Sequence, residues 1–481
     1  MLPSVGLQQY GSGGLNGFGN SSGAELADLR KALEAGYAIT NQTGGASLRV
    51  ESLEASLKAV TYTSKHIKLW KKIPKSPAYS TTEEYNQVLS YGATGAGSFT
   101  REGEVPRTQD TSYARRTALV KFMGVTREVT HPMTLVHSAH GDVVALENQN
   151  GILFILQQIE GSLFHGDSSL AFDGEAEQWD GLDSLIDVTS FIDVEGNSLQ
   201  EADIEESTNL VIENYGYPTD MFLGTRCMSD LVKTFYPRER VQMPSPVGGQ
   251  VGFSIETMAT QAGVIQFNPN VFLRQHPSPP AAATSPNAPA TVQTIADGGS
   301  LAAGTAEWTK QLGVTAATVT FGYAVTAANR FGESAPLYQD LTVLTAEWNA
   351  NQALVLDITT AVAIGANPPE YLNIYRTNMD VTSSSDPSDF SLIMKVPVTT
   401  QTANTAMTAV AVDRNFLLPF TEVAYVGEMN EQVLTFRQLA PLMKMDIAVL
   451  GPAYRWMILL YGTPILFTPL KWNRIINIGR V

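Results

Sequence analysis

Residues 128–225 contain no lysine or arginine, yet they carry 19 aspartates and glutamates. A surface that stands alone mixes both signs, because like charges held close repel one another. This stretch must therefore face solvent as one acidic field or find its counter-charges outside itself. Residues 1–127 hold 15 basic and 10 acidic side chains, a net of +5, and residues 226–481 hold 16 and 18, a net of −2. The total of −16 weighs against a general nucleic-acid binder. Two readings follow from the uneven map. In one, the acidic middle is a solvated face that keeps the chain soluble. In the other, the basic N-terminal third of one copy lies across the acidic middle of another, a heterologous self-contact.

A chain of 481 residues has room for two or three domains. A single cysteine, Cys227, excludes an intrachain disulfide, and no Cys/His cluster has zinc spacing. The first residues show neither the charged nor the apolar region of a secretion signal. The uncharged apolar run 456–470 is interrupted by Gly462, Pro464 and Pro469 and is too short to span a bilayer. The expectation is a soluble, multidomain protein made in the cytoplasm, with no membrane partner.

Residues 1–23, rich in Gly, Ser and Asn, read as an extended arm. Leucines at helical spacing in 24–36 and 48–60 predict two short amphipathic helices. A polar, Gly-studded stretch at 91–112 predicts a long functional loop, followed by a strand-length apolar run at 118–125. Ile152, Leu156, Ile159 and Leu163 mark one face of a long helix capped at Gly141-Asp142, with Gly151 and Gly161 inside it as weak points. A capping box at Ser198-Leu199-Gln200-Glu201 opens a further helix that closes before Gly216, and another spans 229–235 and ends at Pro237. Helices and short strands mix without a βαβ rhythm, which predicts an α+β fold.

At 277–289 a proline-rich linker begins, and beyond it the pattern alternates with period two. Val319, Phe321, Tyr323 and Val325 form one face; Leu354, Leu356 and Ile358 another; Leu392, Met394, Val396 and Val398 a third. These segments predict an all-β sandwich over about 288–413. Residues 323–334 and 371–376 resemble strands of fibronectin type III or immunoglobulin-like modules. The apolar segments after Phe420 have too little chain to fold alone, so they should complete a sheet begun before residue 277.

No catalytic constellation stands out. The phosphate-loop pattern is missing, and Gly19-Asn20-Ser21-Ser22-Gly23 matches a nucleophile elbow only in form, without a preceding strand. His131, His137 and His140 share no single helical face. Asp173, Glu175, Glu177, Asp180, Asp183 and Asp187 lack the ligand order of a calcium loop and read as solvated or subunit-facing carboxylates. Arg101, Arg107, Arg115 and Arg116 are interleaved with Glu102, Glu104 and Asp110, so protein contact is a better reading than nucleic acid. Trp456, Tyr461 and Trp472 read as core aromatics. No catalytic, cofactor or metal-binding residue is expected, and the chain is expected not to be an enzyme.

The order of parts resembles the major capsid protein of large tailed bacteriophages, with the HK-97-like capsid fold. Phe172-Asp173-Gly174 with Gly181-Leu182, Val426-Gly427-Glu428-Met429, Tyr461-Gly462 and Lys471-Trp472-Asn473-Arg474-Ile475 are similar to stretches of myovirus-type capsid proteins. The resemblance implies an N-terminal arm at 1–66 and a peripheral domain at 67–179 and 421–481. Within that domain it implies an extended loop at 76–120 and a spine helix at 141–166. It further implies an axial domain at 180–276, a linker at 277–287 and an inserted immunoglobulin- or fibronectin-like domain at 288–413.

The function so implied is self-assembly into hexamers and pentamers of an icosahedral head enclosing double-stranded DNA, with the virion capsid as location. The implied partners are other copies, a scaffolding protein, a portal and a cement protein. The candidate inter-subunit contacts are Arg101, Arg107, Arg115 and Arg116 against Asp173, Glu175, Glu177 and Asp180. Some relatives weld subunits through a loop lysine, but no lysine occurs between Lys75 and Lys121. A noncovalent shell is therefore expected, and the start at Met1 carries the expectation that no long N-terminal segment is removed. The competing readings are a phage tail or baseplate protein, which also carries such insertions, and an exported hydrolase with a fibronectin-like module.

Overall fold

A computed structural model describes residues 61–92, 99–136, 141–170, 178–239, 255–261, 263–273, 277–308, 319–361, 367–378, 385–398, 406–448 and 451–480. The expected arm and its two leucine-spaced helices fall almost wholly outside these residues, as do His137, His140, Asp173, Glu175 and Glu177.

The first half runs through α1 (Leu69–Lys72), β1 (Lys75–Pro77), β2 (Thr82–Ser90), β3 (Ser112–Leu119), β4 (Lys121–Thr130) and the long helix α2 (Val143–His165). It continues through β5 (Phe191–Asp193), α3 (Glu201–Glu213), β6 (Asp220–Gly224), α4 (Thr225–Glu239), β7 (Thr257–Thr260) and β8 (Gly263–Asn270). Eight strands follow in the second part: β9 (Thr294–Ser300), β10 (Val319–Asn329), β11 (Gly332–Glu333), β12 (Leu337–Val343), β13 (Leu354–Thr359), β14 (Tyr371–Arg376), β15 (Ser391–Pro397) and β16 (Thr408–Asp413). The chain ends with β17 (Glu422–Gly427), β18 (Leu434–Asp446), β19 (Ala453–Leu466) and β20 (Trp472–Ile478).

Two sheets join chain from either side of β9–β16. One has the order β1-β18-β19-β4, the other β5-β20-β17-β6-β8-β7. The late strands thus pair with early ones: β19 runs antiparallel to β4, and β17 lies between β20 and β6. Helix α2 packs Ile155, Ile159 and Leu163 against Trp456, Ile458 and Leu460 of β19. Of the expected face, Ile159 and Leu163 are buried, whereas Ile152 and Leu156 are partly buried and Ile155 takes the central place; Gly151 has a packing reason, since a Cβ there would lie 2.6 Å from Ile458 Cδ1. The six-stranded sheet is apolar on both faces. Phe222, Tyr425, Trp472 and Ile476 join the core under α2, whereas Met221, Leu223, Ala424, Val426 and Ile475 join a second core with Ile204 of α3 and Leu231 of α4. Period two with both faces covered makes β6 and β17 buried at every position.

The second part packs β11-β10-β14-β15, with β12 on the free side of β10, around a core shared with β16-β13-β9. Val319, Phe321, Tyr323, Val325, Leu354, Leu356 and Ile358 all enter that core, as the alternation predicts. The third expected face does not hold together. A register shift between Ile374 and Tyr375 breaks the alternation in β15, so Leu392 packs outside with Tyr375 and Phe390 while Met394 and Val396 face the core. The linker is not free either: Pro277 O accepts from Leu392 N–H at 3.0 Å, and Thr284 and Glu333 exchange backbone and hydroxyl bonds.

Two helix ends differ from the sequence reading. The box of α3 is formed by Gln200 and Asp203, not Ser198 and Glu201, because the Ser198 oxygens take the Gln200 amide instead. Helix α4 starts at Thr225 and runs through Pro237 to Glu239. A proline in the last turn removes one bond near an end that frays anyway, so it need not stop the helix where it stands.

Candidate assembly surface

The hairpin β2–β3 is a two-stranded sheet on its own, and its register decides which way each cation points. Tyr85 stands opposite Arg116 and Gln87 opposite Ala114, whereas Asn86 stands opposite Arg115 and Val88 opposite Tyr113. Neighbouring positions along a strand point to opposite faces. Arg115 and Arg116 are therefore on different faces of the hairpin and cannot meet one flat partner surface together.

The Tyr85 face is turned to the chain's own body. Tyr85 packs edge-on to Phe467 with ring centroids 5.0 Å apart, Gln87 Nε2 donates to Phe467 O, and Arg116 Nε donates to Gln87 Oε1 at 3.4 Å. The opposite face exposes Val88, Tyr113 and Leu119, and there Arg115 is ion-paired with Glu84 of the same hairpin. Beyond the paired strands, Phe99 is 100% exposed and Val105 90% exposed. Arg101 and Arg107 are exposed beside them and make no ion pair among the described residues. Under the hairpin lies a groove of about 1240 Å³ between Val88 and Leu89 on one side and Val188, Phe467 and Leu470 on the other.

Of the acidic candidates within the described residues, Asp180 accepts the Ser168 N–H at 2.9 Å and so shapes its own loop. Asp183 links three elements. It bonds His165 Nδ1 at the end of α2 at 2.8 Å and Tyr425 OH on β17 at 2.6 Å, while its carbonyl takes Arg474 Nη1 of β20 at 3.1 Å. Burial, the largest influence, works to raise the Asp183 carboxyl, but the His165 and Tyr425 hydrogen bonds and the Arg474 charge hold it below its ordinary 3.8. A depressed carboxyl stabilises the fold above its unfolded pKa and loses that contribution as pH falls through the folded value. Asp183→Asn is expected to be less stable than the parent at pH 7 and to converge with it at acid pH. A stability difference that stays constant across a pH series of unfolding curves would contradict this.

No other chemistry gathers. Among the described residues no group of three His, Cys, Asp or Glu side chains is placed to hold a metal ion. His131 stacks loosely on Tyr454, with centroids 5.9 Å apart. The His165–Asp183 pair has the form of a base and its orienting acid, but among the described residues His165 Nε2 is buried without a hydrogen-bond partner, so no described nucleophile meets it.

Two buried polar sites that the sequence did not disclose hold the scaffold. Glu160 of α2 is fully buried and accepts from the N–H groups of Lys68, Leu69 and Trp70 at 2.9, 2.7 and 2.9 Å, and from Asn270 Nδ2 at 2.6 Å. It caps α1 from another element and ties the start of α1 to α2 and to β8. In the second part, Arg376 and Asp413 form a buried pair at 2.6 Å. Both read from sequence as ordinary polar residues, since neither pattern nor spacing signals a partner so far along the chain.

A model of the SU10 major capsid protein family matches residues 38–288. The major capsid protein of Staphylococcus phage K is 28% identical over 460 residues, covering 94% of this chain and 95% of that protein. That of Staphylococcus phage S25-3 is equally similar, with the same identity and coverage. Among solved structures, a chain of the capsid of a native GTA particle is similar with a TM-score of 0.44 at 6% identity, covering 90% of this chain and 97% of that one. A chain of the SrpI encapsulin complex from Synechococcus elongatus has a TM-score of 0.43 at 8% identity, covering 88% and 92%.

Proposed function

The chain belongs to the SU10 major capsid protein family, and from that premise we propose that its copies assemble into hexamers and pentamers of an icosahedral head enclosing double-stranded DNA. One observation carries the reading most: beyond its paired strands, a hairpin rooted on a doubly packed plate presents the bare apolar side chains of Phe99 and Val105 to solvent. A monomer that stays alone gains nothing from such a tip, whereas a subunit that overlaps its neighbours needs one. The plate supplies rigidity through α2 and the two composite sheets, whose long-range strand pairs fix the hairpin's root.

In this reading the fold is of the HK-97-like type, with the hairpin as extended loop, α2 as spine helix and the six-stranded sheet at the heart of the axial part. The β9–β16 unit is read as an immunoglobulin-like insertion, because two facing sheets share one core and the chain returns to the plate on leaving it. Arg101, Arg107 and Arg116 remain candidates for contact with the acidic middle of a neighbour. Arg115, paired with Glu84, contributes less to such a contact. The net charge of −16 suits a container that must enclose DNA without gripping it. A scaffolding protein and a portal are the partners this reading adds, with a cement protein as a further candidate.

The absence of lysine from the loop between Lys75 and Lys121 leaves no amine there for an isopeptide weld. Assembled particles boiled in denaturant are expected to run as a single band of about 52.0 kDa; a ladder of multiples would contradict the noncovalent shell. Size-exclusion chromatography tests the assembly itself, with elution as capsomers or particles expected and a stable monomer at all concentrations opposing it.

A further inference from the structure

We propose that Asp297 is a site of spontaneous backbone rearrangement, an aspartate that converts to isoaspartate in the folded chain at neutral pH. The conversion needs an aspartate or asparagine followed by glycine. The next nitrogen must swing onto the side-chain carbonyl carbon, and a Cβ on that residue would hinder it. Among the described residues three such pairs occur, Asn150-Gly151, Asp180-Gly181 and Asp297-Gly298, and the fold treats them differently.

Two of the pairs are locked. Asn150-Gly151 lies inside α2, where Gly151 is buried and its nitrogen belongs to the helical ladder. Gly181 is buried and donates its N–H to Gly166 O at 2.8 Å, while Asp180 Oδ1 accepts from Ser168 N–H at 2.9 Å. Asp297-Gly298 is exposed on β9, which pairs with β13 at the end of its sheet. The ladder breaks at this pair. Asp297 stands opposite Leu356 and Ser300 opposite Leu354, so Gly298 and Gly299 together face Val355 as a bulge. The Asp297 side chain folds back along the chain, with Oδ1 accepting from Gly299 N–H at 2.8 Å, which brings its carboxyl over the Gly298 nitrogen between them. Packing requires the glycine, since a Cβ at 298 would lie 2.9 Å from Asp357 Oδ2 and from Val355 Cγ1. The reactive pair is thus built into the bulge.

Water is the only co-reactant. The Gly298 nitrogen attacks Asp297 Cγ and gives up its proton, the carboxyl hydroxyl leaves as water, and a succinimide ring closes. Water then adds to either ring carbonyl. Opening at the former main-chain carbonyl routes the backbone through Asp297 Cβ and leaves the α-carboxylate as a side group, with no net gain or loss of atoms. The added backbone methylene shifts the register against β13, so β9 is the strand that the conversion loosens.

The test is incubation of the folded, purified chain for weeks at neutral pH, with samples digested by trypsin and offered to protein-isoaspartyl methyltransferase with labelled S-adenosylmethionine. Asp297 falls on the peptide 275–310, between Arg274 and Lys310, whereas the two locked pairs fall on 128–226, which the cation-free stretch leaves whole. Methyl label on 275–310 that grows with incubation time is the expected result. Asp297→Glu, whose longer side chain closes the ring far less readily, should remove it. A peptide 275–310 that gains no label, or gains the same label in Asp297→Glu, overturns the proposal. The readout does not involve assembly, so it stands or fails independently of the shell reading.

Discussion

Asp413→Ala is expected to destabilise the β9–β16 unit by about 3–5 kcal/mol, the usual cost of stranding one member of a buried ion pair. Arg376 is 0% exposed, and its guanidinium lies beside the stacked rings of Trp308 and Phe321, at 5.6 and 4.9 Å from their centroids. Asp413 Oδ2 accepts from Arg376 Nη1 at 2.6 Å and from Tyr323 OH at 2.7 Å, while Asn415 takes Arg376 Nη2 and returns its own N–H to Asp413 Oδ1. Burial, joined by the Asp413 charge, pushes the Tyr323 phenol well above its ordinary range, so it remains a donor at any working pH. Removing the carboxylate leaves a buried cation, a phenol and an amide without their acceptor. Replacing both charges together, as Arg376→Met with Asp413→Leu, should cost much less than Asp413→Ala alone. The measurement is denaturant unfolding followed by tryptophan fluorescence, since Trp308 and Trp348 stack inside this unit. A loss below about 1 kcal/mol for Asp413→Ala would mean that water reaches the pair.

Glu160→Ala should have an effect of similar size in the other half of the molecule. Three backbone N–H groups and one amide lose their acceptor in a buried site, and each unmet donor costs about 1–3 kcal/mol. Local opening can relieve part of that cost, so the loss is expected to concentrate in the 61–77 segment. Hydrogen exchange at the Leu69 amide should accelerate by at least about tenfold, while amides at the centre of β19 should change much less. Glu160→Gln should fall between, because its oxygen can serve some of the donors but its amide opposes the rest. Unchanged exchange at Leu69 in the alanine variant would contradict the capping role.

The parts of the fold that follow a period were legible in the sequence. The existence of helix α2 follows from its apolar spacing, although its buried face centres on Ile155, Ile159 and Leu163, and the core faces of β10 and β13 follow from alternation. Legibility fails where one residue of geometry intervenes. The register shift beside Ile374 turns Leu392 away from Met394, and nothing in the local composition marks it. It fails again where a partner lies far along the chain: Glu160 is about ninety positions from the amides it binds, and on a helix an isolated glutamate reads as solvated. The candidate surface was half legible. Four loop arginines stood out as contact residues, but only the strand register shows that Arg115 and Arg116 point apart and that Arg115 is already paired within the hairpin.

The acidic stretch 128–225 has a clearer shape in the folded chain. Some of its carboxylates are internal fixtures, as Glu160 and Asp183 are, and others, Glu206 and Glu213 among them, are exposed and make no ion pair among the described residues. The charge asymmetry is thus partly scaffold and partly exposed acidic surface, which the proposed shell would set against a neighbour. Electron microscopy of the purified full-length chain tests the central claim most directly. Closed shells, or rings of five and six subunits, are the predicted result; a dispersed monomer that never forms rings or shells under any salt or concentration would contradict it.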